Sequence, residues 1–217
     1  MEVEDLKRIY DPSNLTRTRK DHVRWGAVLG LYTGARVGEI AQIYLRDFAT
    51  VGGVDCFYIR TESDGQRAKT DDSRRIIPIH PDLIELGLLE RVQRLRDQGE
   101  DRFFPGVKLD GKAGVGNALS KGFSYYIAGL GVKPRRATGT VGFHSLRDNL
   151  IQHMQGEASE LGERRRAYVG HEPGKDVHET VYMRPWTVAE IQSVVVEGIK
   201  WREVLGLDIG ALKTLLA

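Results

Sequence analysis

The chain has 217 residues, enough to bury a substantial core, and its 41% apolar and 29% charged residues are ordinary for a soluble globular protein. The 32 Lys and Arg nearly balance the 30 Asp and Glu, so the net charge of +2 does not by itself indicate a nucleic-acid or membrane partner. The single cysteine, Cys56, rules out an internal disulfide and fits a reducing compartment. A charge-rich N-terminus and the lack of a long apolar run predict neither a signal peptide nor a membrane span.

The first part of the chain predicts three helices. A short helix runs from Glu2 to Tyr10, and a second runs from Lys20 to Thr33, where Gly34 ends it. The second helix places apolar side chains on one face. These are Val23, Val28, Leu29 and Tyr32. Arg36 follows at the start of a third helix, whose isoleucines face the core.

Arg36 has two interpretations. An arginine held between two packed helices suits a bidentate contact with a phosphate. The alternative is a structural ion pair with Glu39 or Asp47, and Arg36 alone does not decide between them.

Two strands and a helix are predicted next. Residues 54–59 and 75–79 are rich in strand-forming residues. The polar hairpin between them carries Lys69. A lysine at the tip of a hairpin is usually only solvated. Pro81 then starts one long amphipathic helix that continues through Leu95 and is assigned to the core. The glycine-rich residues 110–116 match no phosphate-binding pattern and are expected to form a loop.

The run from Gly142 to Ile151 predicts a helix, because apolar residues recur at helical spacing from Leu146 to Met154. His144 and Arg147 therefore lie one turn apart in its first turn. The free backbone N–H groups and the helix dipole favour an anion at that end, so the pair predicts a phosphate site. The alternative is a surface histidine and arginine that are three residues apart by chance.

A tyrosine and a second histidine follow. Gly170 is predicted to end the preceding helix, which leaves His171 in a turn and Tyr182 at the end of a short helical stretch. A tyrosine with an ordinary pKa near ~10 is a poor nucleophile at neutral pH, so it needs cations around its target and a proton acceptor nearby. The two histidines and Arg147 are residue types that meet this need. Tyr168 lies on the preceding helical pattern and is predicted to be core.

The C-terminal part predicts two helices. Thr187 and Glu190 form a capping box for one helix, and Asp208 is a candidate cap for a last short one. We describe residues 187–217 as a C-terminal helical tail. No linker demands two domains, so residues 1–217 are predicted to form one mainly helical (α+β) domain with a small antiparallel sheet.

Runs of arginine lie close to these motifs in the sequence and predict contact with DNA. They are Arg74, Arg75, Arg135, Arg136, Arg164 and Arg165. Solvated helix faces carry such runs too.

Taken together, the motifs resemble the catalytic domain of the tyrosine recombinases, the phage-integrase family of site-specific DNA recombinases. Several motifs stand in family order and span most of the chain. They are Thr33–Ile40 (TGARVGEI), Lys69-Thr70 ahead of Arg75–Pro78 (RIIP), His144–Arg147 (HSLR), Gly170-His171 and Tyr182. The chain departs from the family in two places. The spacing from His171 to Tyr182 is longer, with residues 173–175 as the extra turn, and Asn149 stands where the family often has threonine.

The resemblance implies a fold of the tyrosine recombinase and type IB topoisomerase kind, and DNA cleavage through a 3′-phosphotyrosine link that leaves a free 5′-hydroxyl. The implied catalytic residues are Arg36, Lys69, His144, Arg147, His171 and Tyr182. The arginines would neutralise the non-bridging oxygens, the lysine would protonate the leaving oxygen, and the histidines would accept the tyrosine proton or bond the phosphate. Because the covalent link conserves the bond energy, no metal, ATP or other cofactor is expected.

The resemblance also implies partners and a place of action. Double-stranded DNA is the expected partner, with assembly into a tetramer on DNA, a monomer free in solution, and a cytoplasmic site of action in a prokaryote or phage host. The family normally carries an N-terminal DNA-binding domain, and we expect this chain to be the catalytic domain without it. In similar recombinases a C-terminal helix docks into the neighbouring protomer. We therefore expect residues 207–217 to serve assembly, with packing on their own core as the alternative.

Three other functions stand beside this one. A type IB topoisomerase uses similar chemistry but rejoins the same strand. A DNA-binding module without activity belongs to a different class, and the full set of candidate catalytic residues argues against it. A metallohydrolase that uses His144, His171 and His178 has the least support, since no tight ligand spacing such as His-Glu-x-x-His occurs.

Overall fold

The computed structural model describes residues 1–60, 74–109, 114–134, 139–157, 162–170 and 184–217. Within these ranges the chain is mainly helical with one three-stranded antiparallel sheet, which confirms the predicted fold class. The helices are α1 (Val3–Tyr10), α2 (Pro12–Leu15), α3 (Asp21–Thr33), α4 (Val37–Ala41), α5 (Pro81–Glu85), α6 (Leu88–Asp97), α7 (Asn117–Gly129), α8 (His144–Glu157), α9 (Gly162–Val169), α10 (Val188–Gly198), α11 (Trp201–Leu205) and α12 (Ile209–Leu216). The strands are β1 (Phe48–Val51), β2 (Val54–Ile59) and β3 (Arg75–Pro78). None of the helices so described is long and apolar enough to cross a membrane.

Helix α3 is the centre of the packing. Ten of its 13 residues are buried, and α4, α7, α8 and α12 all pack against it. A helix that is apolar on nearly all sides must be enclosed by other elements. The carboxyl end of α3 lies against α8, where Gly34 contacts Leu150 and Arg147. The packing therefore brings two sequence motifs more than a hundred residues apart to one place.

The sheet has the order β1-β2-β3. β1 and β2 form a hairpin around Gly52-Gly53, in which Phe48 lies opposite Phe57, and β2 pairs with β3 so that Ile59 lies opposite Arg75. β1 was not predicted, although a Gly-Gly pair between two apolar runs is a recognised hairpin signal. β3 packs against α9 and α10, and this contact carries Arg75 to the carboxyl end of α9.

The single long helix predicted from Pro81 through Leu95 is wrong. The structure has two helices there, α5 and α6, with Leu86 and Gly87 between them. Gly87 has a φ of 93°, a left-handed conformation that an α-helix cannot contain. The apolar spacing continues across the break, which is why periodicity alone suggested one helix.

Two of the three helices in the tail, α10 and α12, begin where the sequence indicated, and α11 was not predicted. Thr187 and Glu190 form the predicted capping box of α10, and the Asp208 side chain accepts from the backbone N–H of Ala211 at 2.9 Å. α12 packs against α2, α3 and α5 of its own chain. The indole N–H of Trp25 donates to the carbonyl of Leu216 at 3.0 Å, which fixes the end of the tail on α3. The tail thus packs on the chain's own core, and docking on a neighbouring protomer stays a prediction.

Candidate active site

The turn between α3 and α4 positions Arg36. Gly34 ends α3 with a φ of 57°, and its N–H donates to the carbonyl of Gly30 at 3.1 Å. A Cβ at Gly34 would lie 2.9 Å from Leu150, so space as well as conformation requires glycine here. Two residues later Arg36 takes the N-cap position of α4, with its side chain partly exposed.

Arg147 ties this turn to α9. Its Nη1 donates to the carbonyl of Gly34 at 2.7 Å and to the carbonyl of Val169 at 2.5 Å. Its Nη2 is buried and has no hydrogen-bond partner among the described residues. A buried donor without an acceptor costs about 1–3 kcal/mol, and an anionic oxygen is a strong partner for a guanidinium. Within the described ranges, Arg147 thus has one nitrogen, Nη1, fixed by the fold and another, Nη2, without a partner.

Three arginines meet around one carboxylate. Burial, followed by the neighbouring positive charges of Arg75 and Arg36, lowers the pKa of Arg147 to about 10. This value is still well above neutral pH, so Arg147 remains protonated there. Three positive charges gather near the single enclosed negative charge of Glu39, so the cluster is net positive and is suited to an anion.

Glu39 is the carboxylate at the centre of this cluster. Its Oε2 accepts from the backbone N–H of Arg36 at 2.8 Å and from Arg75 Nη2 at 3.0 Å, while its Oε1 accepts from Arg36 Nη1 at 2.8 Å. Burial would raise the pKa of Glu39, but the charge and hydrogen bonds of Arg75, together with those of Arg36, outweigh it and lower the pKa. Glu39 therefore stays ionised and links the two arginines.

The carboxyl end of α9 closes the cluster. Arg75 Nε donates to the carbonyl of Tyr168 at 2.9 Å, next to the Val169 carbonyl that Arg147 binds. Two guanidinium groups thus satisfy the last carbonyls of the helix, where cations are favoured. Gly170 follows with a φ of 69°, and a Cβ there would lie 2.8 Å from Arg75 Nη1. The prediction that Tyr168 is core is confirmed, since its ring is buried and its hydroxyl donates to the carbonyl of Tyr32.

His144 lies at the start of the same helix as Arg147. α8 begins at His144, so the predicted helix start is confirmed, and the His144 side chain is exposed. The Ser145 hydroxyl accepts from the backbone N–H of Gly142 at 3.3 Å and supports this first turn. The His144 imidazole is thus exposed in the first turn of α8, one turn before Arg147 in the sequence.

The remaining candidate catalytic residues, Lys69, His171 and Tyr182, lie outside the described residues, as do Arg135 and Arg136. His171 is nevertheless the next residue after Gly170 in the sequence. The described part of the chain contains no group of three His, Cys, Asp or Glu side chains close enough to hold a metal ion.

The other arginines predicted to contact DNA differ in exposure. Arg74 is exposed. The Arg75 side chain is only 6% exposed and is engaged with Glu39. Arg164 donates to the Ser193 hydroxyl at 3.0 Å and lies over the ring of Trp186, and Arg165 donates to the Met154 carbonyl at 3.0 Å. Arg164 and Arg165 thus join α9 to its neighbours.

The sequence analysis considered Glu39 only as a partner for Arg36, and it assigned Arg75 to the DNA surface. The structure instead joins Glu39 to Arg75 across 36 residues of sequence. Nothing local signals this pair, because Glu39 lies on α4 and Arg75 on β3, and the two residues meet only through tertiary packing.

Comparison with known proteins adds the following. No protein-family model matches the chain, and no curated protein sequence matches it. Among solved structures, the integrase from mycobacterium phage Brujita aligns with 100% of this chain and 62% of its own, at 16% identity and a TM-score of 0.49. The chain therefore spans less than two thirds of that integrase.

Proposed function

We propose that this chain is the catalytic domain of a site-specific DNA recombinase that cleaves and rejoins DNA through a 3′-phosphotyrosine intermediate. The observation that carries the proposal is the buried Nη2 of Arg147, which has no hydrogen-bond partner in the described part of the chain and lies within a net positive cluster that also contains Arg36. A phosphodiester supplies the anionic oxygens that such a cluster binds. The sequence motifs add the nucleophile, Tyr182, and His171, the residue that follows Gly170 in the sequence.

In the proposed first step, the hydroxyl oxygen of Tyr182 forms a bond to phosphorus and the bond from phosphorus to the 5′-oxygen breaks. His144 accepts the tyrosine proton, and Lys69 gives a proton to the departing 5′-oxygen. In the second step, the 5′-hydroxyl oxygen of another strand forms a bond to phosphorus and gives its proton to Lys69. The bond from phosphorus to the Tyr182 oxygen breaks, and His144 returns the proton to that oxygen. The number of phosphoester bonds is unchanged, so the reaction needs no energy source.

Arg36 and Arg147 contribute through electrostatics. Negative charge on the non-bridging oxygens is greatest in the transition state, and prearranged donors at those oxygens are usually the largest catalytic contribution. Arg147 is already fixed by two backbone carbonyls, and Arg36 by Glu39. Neither side chain has to be reorganised when DNA binds, which is the condition under which such donors act best.

The decisive experiment is to trap the covalent adduct. The protein is incubated with a pool of nicked duplexes of randomised sequence, in which the released fragment diffuses away and cannot be rejoined. We expect a protein–DNA adduct from the wild type and none from Tyr182→Phe, which loses only the nucleophilic oxygen. The matched control is Tyr125→Phe, because Tyr125 is 69% exposed on α7 and has no role in the proposal.

Other outcomes lead to other functions. An adduct that persists in Tyr182→Phe would mean that another residue is the nucleophile. An adduct accompanied by relaxation of supercoiled plasmid, without exchange between two sites, would indicate a type IB topoisomerase. DNA binding without any adduct would indicate a binding module. A reaction that EDTA abolishes would indicate metal-dependent hydrolysis.

A further inference from the structure

We propose that Arg75 is a positioning residue of this active site, which acts through Glu39 to hold the Arg36 guanidinium in its phosphate-binding position. The inference rests on the proposed function, in which Arg36 binds the scissile phosphate. It assigns to Arg75 a role inside the protein in place of the DNA contact that the sequence suggested.

Arg36 and Arg75 share one carboxylate, that of Glu39. Glu39 accepts from Arg36 through both the backbone N–H and Nη1, each at 2.8 Å, and from Arg75 Nη2 at 3.0 Å. Arg36 and Arg75 therefore hold the carboxylate from two elements, α4 and β3. A hydrogen-bonded carboxylate in this arrangement cannot rotate without breaking bonds to both arginines.

The side chains of these three residues differ in burial. The Arg36 side chain is 36% exposed, whereas those of Glu39 and Arg75 are 4% and 6% exposed. A partly exposed arginine is flexible and loses much rotamer freedom when it is held in one position. The enclosed pair, Glu39 and Arg75, provides the fixed support on which the more exposed Arg36 is oriented.

Arg75 is itself held independently of Arg36. Arg75 Nε donates to the carbonyl of Tyr168 at 2.9 Å, and its guanidinium lies against Gly170, where a Cβ would come within 2.8 Å of Nη1. Arg75 therefore takes its position from the sheet and from α9. Arg75 in turn holds the Glu39 carboxylate in place, and Glu39 holds the Arg36 guanidinium. The three side chains form one continuous hydrogen-bonded chain.

Loss of Arg75 should misplace Arg36 and leave Glu39 with a single arginine partner. A displacement of about 1 Å at a catalytic group can cost on the order of 100-fold in rate. We therefore expect Arg75→Met to lower the rate of adduct formation by that order. The matched control is Arg102→Met, since Arg102 also donates to backbone carbonyls, those of Pro105 and Val107, but away from Glu39.

The first test observes Arg36 directly and needs no DNA. NMR of the guanidinium group of Arg36 should show slow rotation in the wild type and in Arg102→Met, and fast rotation in Arg75→Met. If Arg75→Met does not fold, Glu39→Gln replaces it, because the amide keeps the shape but loses the charge that both arginines bind. Unchanged slow rotation of Arg36 in the folded variant would overturn the inference.

The second test separates positioning from general loss of structure. A methylphosphonate at the scissile position carries no negative charge and does not need Arg36 to neutralise it. The defect of Arg75→Met should be on the order of 100-fold on the phosphate substrate and largely disappear on the methylphosphonate, as for Arg36→Met. Equal defects on both substrates would contradict the inference. If the wild type forms no adduct at all, the proposed function fails, and the NMR comparison still decides whether Arg75 positions Arg36.

Discussion

At the scale of single residues, Arg147 is the most informative target. Arg147→Lys keeps the positive charge, but all three ammonium N–H donors belong to one nitrogen. They cannot reproduce the planar fork in which Nη1 binds the carbonyls of Gly34 and Val169 while Nη2 faces a phosphate. We expect the rate of adduct formation to fall on the order of 100-fold or more, the usual effect of losing one prearranged donor. Quenched time courses with a trapped substrate measure this rate. Arg102→Lys is the control, and an Arg147→Lys enzyme near the wild-type rate would make Arg147 structural.

The residue scale also shows what the sequence can predict. Three candidate site residues could be recognised from the sequence because they lie at helix starts, where local spacing and a preceding glycine mark the position. They are Arg36, His144 and Arg147. The roles of Glu39 and Arg75 were not recognisable, because their interaction depends on tertiary packing across 36 residues. The sequence predicts that an arginine next to a polar hairpin is exposed. Its burial depends on residues far away in the sequence, so no local pattern predicts it.

At the scale of elements, alanine substitutions at two glycines with positive φ can be compared for their effects on stability and on the site. Gly34 (φ 57°) and Gly87 (φ 93°) both lie at helix junctions, so alanine at either position should cost about 1–2 kcal/mol of stability. Only at Gly34 does the added Cβ also collide with Leu150, at 2.9 Å, and adjoin Arg147. We expect Gly87→Ala to lower stability alone and Gly34→Ala to lower both stability and adduct formation.

Urea unfolding and adduct assays on these two variants measure the two effects separately. An active Gly34→Ala enzyme with normal stability would mean that the turn tolerates a side chain and that its geometry does not position Arg36. A cleavage defect in Gly87→Ala equal to that in Gly34→Ala would show that any loss of stability impairs the site. The comparison therefore isolates the contribution of the turn between α3 and α4.

Most elements were predictable, and the failures have physical causes. Helices α3 and α8 were predicted because their apolar spacing and end signals agree. The break at Gly87 was missed because apolar residues continue in phase across it. β1 was missed because a strand of four residues is too short for its alternation to stand out.

At the scale of the whole molecule, the candidate site is a product of topology. Arg36 and Arg147 come from the ends of helices packed on α3, and Arg75 comes from a strand that packs on α9. Residues far apart in sequence therefore converge on one carboxylate. The fold class could be predicted from local patterns, but this convergence could not, since it depends on long-range contacts between elements.

The role of the C-terminal helical tail depends on how it packs against the rest of the molecule. The sequence resemblance implies that residues 207–217 serve assembly, with packing on their own core as the alternative. In the structure α12 buries three apolar side chains on its own chain, and each such side chain contributes about 1.5–3 kcal/mol. They are Ile209, Leu212 and Leu216. Their sum is comparable with the total stability of a typical domain, about 5–15 kcal/mol.

We therefore expect deletion of residues 207–217 to prevent stable folding, because the loss also leaves the Trp25 indole N–H without its acceptor, the Leu216 carbonyl.

Leu212→Ala should lower the free energy of unfolding by about 2–5 kcal/mol, since Leu212 is only 1% exposed. Urea unfolding followed by circular dichroism measures both. Lys213→Ala is the control, because its exposed ion pair with Glu90 should contribute little. A truncated chain that keeps wild-type stability yet fails to assemble on DNA would contradict the packing argument and favour docking on a neighbouring protomer.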